Sequence, residues 1–195
     1  MKAGIYILFA IIFVSVSSCK RDNLISDRDY FKEVNNTFLE RKSSFAGKDD
    51  LFSVFNRDMT AMEEEAMKFL YAFMPLSDLA DYSGRFFLDN VKLSIQAREE
   101  TSWGAEIPEH VFLHYVLPVR VNNENLDSFR IAYYDELISL VNEYDDIEKA
   151  ALEINHWCHE KVTYQPADIR TSAPMATVLS ARGRCGEEST FTVAA

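Results

Sequence analysis

The sequence predicts a mostly α-helical chain that closes on a cysteine-centred turn. Apolar residues recur at three- and four-residue steps through most of its length, and capping residues stand where those runs begin. The convincing strand-like piece is short, Val162-Thr163-Tyr164, and Pro166 stops it.

From Asp27, a plausible cap, Tyr30, Phe31, Val34, Phe38 and Leu39 fall at helical spacing, and the stretch 43–50, with Gly47, breaks the pattern. Thr60-Ala61-Met62-Glu63 reads as a capping box and opens a second helix with Met62, Ala66, Phe69, Leu70 and Phe73 on one face. Pro75 ends it. A third helix, 84–100, buries Leu88, Val91 and Ile95. Trp103-Gly104 opens an irregular connection, and Pro108 and Pro118 bracket an apolar segment. Helical spacing returns over 126–141 through Phe129, Tyr133, Leu137, Leu140 and Val141, then over 146–161. Pro174, a good first-turn residue, starts a short helix that ends at Gly183, and a last helix begins near Cys185.

The 195 residues suffice for a domain with a core, and 48% hydrophobic and 26% charged residues describe a folded protein. A net charge of -11, with no long one-sign block, argues against a nucleic-acid partner and for solvated acidic surfaces. No cofactor is implied.

The first eighteen residues read as an export signal: Lys2, an apolar run from Ala3 to Val16, then Ser17-Ser18. The run is too short for a permanent spanning helix. Val16-Ser17-Ser18-Cys19 resembles a bacterial lipobox, which implies acylation of Cys19, a tether over 19–26 and a membrane partner through lipid. An ordinary signal peptide or an uncleaved anchor also fits these residues. Lys20 differs from the acidic signal that retains some lipoproteins at the inner membrane, so the expected location is the outer membrane of a Gram-negative cell envelope.

Two cysteines remain. Cys158 shares an apolar stripe with Ala151 and Ile154, and packing accounts for it; His156 falls on the opposite face and His159 on the flank. Cys185 differs. Gly183 and Gly186 surround it, Arg182 and Arg184 are close, and a helix start supplies free N–H groups that favour an anionic sulfur. A buried structural thiol and a Cys158–Cys185 disulfide are the competing readings. The four histidines are not spaced as a zinc site, and His110 and His114 alone do not make a metal centre. Glu187 and Glu188 suit the first turn of a helix, where their expected role is stabilising it.

The segment 174–195 resembles the nucleophile region of the transglutaminase-like superfamily, through Pro174, Val178-Leu179, Gly183-Arg184-Cys185 and Glu187-Glu188. The upstream run Trp103-Gly104, Ile107-Pro108-Glu109, Phe112-Leu113 and Val116-Leu117-Pro118 resembles what precedes that core in some bacterial members. The resemblance implies an α+β fold with a papain-like core for the intact protein, most of its sheet past Ala195. It divides the chain into a helical accessory region, 27–102, and the first part of a catalytic domain, 103–195. It also implies that Cys185 is the nucleophile toward peptide or glutamine amides through a thioester, with a histidine and an aspartate C-terminal to it. The apolar run Thr190 to Ala195 carries no helix-closing signal, which is read as truncation. A non-catalytic peptide- or glycan-binding module and a helical scaffold lipoprotein are the alternatives.

Overall fold

The computed structural model describes residues 23–45, 49–166 and 170–195. Residues 1–18, read above as an export signal, and Cys19 lie outside them.

The chain is mostly helical, as its periodicity predicts. Helix α1, Arg28–Ser44, starts where the Asp27 carboxylate accepts the N–H groups of Asp29 and Tyr30, at 2.8 and 3.1 Å. Helix α2, Asp49–Phe52, and a 3-10 turn, Ser53–Asn56, follow. Helix α3, Ala61–Phe73, carries the expected capping box: the Glu63 N–H donates to the Thr60 hydroxyl, and the Thr60 N–H donates to Glu63. Helix α4, Leu76–Asp81, restarts after Pro75, and α5, Gly84–Glu100, buries Leu88, Val91 and Ile95.

Between Pro108 and Pro118 a short helix α6, Glu109–Val111, widens into a π-helical turn, Phe112–Val116. Its closing bond runs from the Leu117 N–H to the Phe112 carbonyl at 2.8 Å. Helices α7, Phe129–Val141, and α8, Ile147–Lys161, come next; then strand β1, Thr163–Tyr164, helix α9, Pro174–Ser180, strand β2, Arg182–Gly183, and helix α10, Cys185–Ala194. No helix among the described residues is long and apolar enough to cross a membrane.

Two hydrophobic clusters hold these elements together. The larger gathers α1 to α5 around Tyr71, whose ring meets Phe52, Phe55 and Phe87 edge-on at 5.5 to 5.7 Å and whose hydroxyl donates to the Leu51 carbonyl. Phe112, Leu113, Leu117 and Leu126 belong to it too. Packing therefore joins 103–126 to the helical region, and the clusters divide near residue 127.

The stretch read as a polar tether is partly core. Leu24 and Ile25 are buried because the buried Glu65 carboxylate accepts both of their N–H groups, at 2.8 and 3.0 Å. Glu109 takes the Ser26 N–H in the same way. Any tether thus ends before Leu24.

The second cluster is built on Phe129, Leu137, Trp157, Cys158, Val162, Phe191 and Ala194. Phe191 of α10 stands between Phe129, 5.4 Å away, and Trp157, 5.7 Å away. This contact seats the cysteine helix against α7 and α8.

Candidate active site

Strands β1 and β2 pair in parallel, Thr163 with Arg182 and Tyr164 with Gly183. Thr163 donates to the Ala181 carbonyl at 3.0 Å and Gln165 to the Gly183 carbonyl at 2.8 Å. Ala181 reverses the chain after α9 with φ 52°, a left-handed conformation that costs an alanine about 1 kcal/mol. The chain thereby reaches Cys185 as the first residue of α10.

Glu187 holds this turn. It is fully buried, and its carboxylate accepts the Arg184 N–H at 3.1 Å, the Arg184 Nε at 3.0 Å and the Ser172 N–H at 3.3 Å. Burial opposes its charge, but the Arg184 guanidinium and these backbone donors outweigh burial and hold the carboxyl below its usual range. Glu187 therefore ties the loop before α9 to the turn before α10. The expectation of helix stabilisation captures only part of this. Gly183 leaves room for it: a Cβ there would lie 2.8 Å from the Glu187 Cβ. At Gly186 the nearest atom to such a Cβ is the Thr171 hydroxyl at 3.6 Å, an ordinary contact.

Helix α9 is fixed by a residue the sequence did not flag. Asp127 accepts the Phe129 N–H at 2.9 Å and the Met175 N–H at 2.7 Å, joining the starts of α7 and α9. Burial pushes its carboxyl up against the pull of those two donors. An aspartate two residues ahead of a helix was the available signal.

Cys185 is exposed and free, and neither its own N–H nor that of Gly186 has an acceptor among the described residues. Cys158 is the opposite case. It is buried beside the Thr192 hydroxyl, and burial pushes its thiol up to about 11. The two thiols are not joined.

No histidine reaches Cys185 by a hydrogen bond among the described residues. His156 lies on the exposed face of α8 between Glu153 and Glu160, at 3.7 and 3.6 Å, and His159 is also exposed. His114 bonds Tyr30 at 3.2 Å and stands edge-on to Phe69, a structural role in the other cluster. The described residues contain no group of three or more metal-ligating side chains.

The site thus offers an exposed cysteine at a helix start, two first-turn N–H groups without an acceptor among the described residues, and a turn held by Glu187. No protein family, no curated protein and no solved structure matches this chain. Geometry and chemistry carry the functional reading.

Proposed function

We propose that this chain is a lipid-anchored cell-envelope protein of the transglutaminase-like superfamily, acting on peptide or glutamine amides through Cys185. The observation that carries this reading is the exposed Cys185 on the first turn of α10, where the Cys185 and Gly186 N–H groups have no acceptor among the described residues. The Cys185 sulfur attacks the amide carbonyl, the C–N bond breaks, and the amine leaves with the thiol's proton. The two N–H groups favour the oxyanion that forms on the way. Water or a second amine then takes the acyl group from sulfur. The proton transfers belong to the histidine and aspartate that the resemblance implies C-terminal to Cys185.

Acylation of the thiol tests the proposal directly. With p-nitrophenyl acetate followed by intact mass, Cys185 should acylate about tenfold faster than a cysteine placed one turn along by Ser189→Cys in a Cys185→Ala background. Equal rates would remove the nucleophile assignment. They would favour the second reading, a peptide- or glycan-binding envelope module with no turnover, which the lack of a base bonded to Cys185 among the described residues supports.

The anchor has its own test. A palmitate analogue supplied to cells expressing the chain should label it, and Cys19→Ala should abolish the label. Labelling that survives that change removes lipidation at Cys19.

A further inference from the structure

Two carboxylates far along the chain fix the segment 24–26. The buried Glu65 of α3 accepts the N–H groups of Leu24 and Ile25, which are buried themselves. Glu109 of α6 accepts the Ser26 N–H through both oxygens, at 3.1 and 3.0 Å. Asp27 then caps α1, and the Tyr30 hydroxyl meets His114 Nε2 at 3.2 Å. The segment and the start of α1 are thus tied to one stretch, α6 and the π-helical turn that follows it. On that stretch His110 and His114 are exposed, and Tyr115, next in the turn, is 75% exposed.

Leu24 stands five residues after Cys19. Fully extended, five residues reach about 18 Å. A folded body of this chain length is about 40 Å across. An acyl group on Cys19 would therefore hold the body by a leash shorter than half its width. The leash ends at a fixed point of the fold, because Glu65 and Glu109 pin the backbone there. Without those bonds it would run on to Asp27, eight residues from Cys19, and reach about 29 Å.

We propose that the short leash holds the face made by residues 24–26, the start of α1, α6 and the π-helical turn against the phospholipid bilayer that carries the anchor, with Tyr115 at the headgroup level. This orientation depends on the lipidation at Cys19 proposed above. Tyrosine suits that level, since its ring is apolar and its hydroxyl can bond headgroups and water. Charge does not draw the body there. A net charge of -11 gives no attraction to an anionic leaflet, so the length of the leash decides the contact.

The lipidated chain in vesicles of phosphatidylethanolamine and phosphatidylglycerol, with a trace of headgroup spin-labelled lipid, supplies the test. In a Cys185→Ser background a fluorophore is attached at Tyr115→Cys and, in a second protein, at Leu152→Cys on α8, a position 69% exposed in the native chain. Spin-label quenching should be at least about threefold stronger at 115 than at 152. Ten Gly and Ser residues inserted between Arg21 and Asp22 lengthen the leash about threefold without altering a described residue. That insertion should lower quenching at 115 to the level at 152. Flotation with the vesicles reports the anchor separately. A chain that floats yet is quenched equally at both positions, or as strongly at 115 with the insertion as without it, overturns the orientation and leaves lipidation standing. A chain that does not float removes the anchor and the orientation together.

Discussion

Replacing Glu187 by alanine is expected to destabilise the chain by about 3 kcal/mol and to loosen the turn that presents Cys185. The carboxylate is fully buried and accepts from Arg184 and Ser172, so its removal strands two backbone donors at once and leaves a void at the base of α10. At this chain length such a loss lowers the melting temperature by about 6–12 °C. Glu187→Gln should cost roughly half as much, because one amide oxygen still accepts while the NH₂ group opposes the Arg184 guanidinium. Hydrogen exchange supplies the local readout: the Ser172 and Arg184 amides should lose protection well beyond the global change. Unchanged protection at both amides would show that Glu187 does not hold the turn.

The same carboxylate sets a pH dependence. Its pKa is lowered in the folded chain, so the charged form is favoured by folding. That stabilisation is present above the unfolded-state value of about 4.5 and is lost as pH falls through the folded value. Glu187→Gln should flatten this part of the acid limb of the stability curve.

The helices were legible because their signals are local. Asp27, Thr60 with Glu63, Ser83 and Asp146 each cap within three residues of themselves, and the apolar spacing of Leu88, Val91 and Ile95 points to one side of α5. What the sequence hid depends on distant partners. Leu24 and Ile25 look like part of a polar tether until Glu65, some forty residues on, accepts their N–H groups. On α8 the inward residues are Ala150, Trp157 and Cys158, whereas Ala151 is exposed, because α10 approaches with Phe191 from the Trp157 side.

Phe112 and Leu117, which the resemblance groups with the later part of the chain, fill space among the earlier helices. At the site the position of Cys185 on a helix start followed from Gly183 and Gly186, but the roles of two adjacent acids did not. Glu187 and Glu188 are alike as dipole partners; Glu187 shares the buried face of α10 with Phe191 and Ala194, and the missing side chain at Gly183 leaves room for it there.

Gly183→Ala should therefore cost about 3 kcal/mol, and Gly186→Ala nothing. At 183 the new Cβ would lie 2.8 Å from the Glu187 Cβ, an atom fixed to the α10 backbone that cannot swing aside. Relief requires moving either α10 or β2, and moving β2 weakens the bond from the Gln165 N–H to the Gly183 carbonyl. At 186 the 3.6 Å contact is tolerated, and alanine gains up to about 1 kcal/mol of helix propensity over glycine. Urea denaturation of both variants separates the cases, and equal costs would overturn the close-approach account. The cause can be isolated further with Glu187→Gly, which removes the colliding Cβ at its own price in stability. In that background Gly183→Ala should cost less than about 1 kcal/mol, a coupling of about 2 kcal/mol between neighbours in contact. An undiminished cost there would place the strain in the backbone at 183 rather than in its meeting with the cysteine helix.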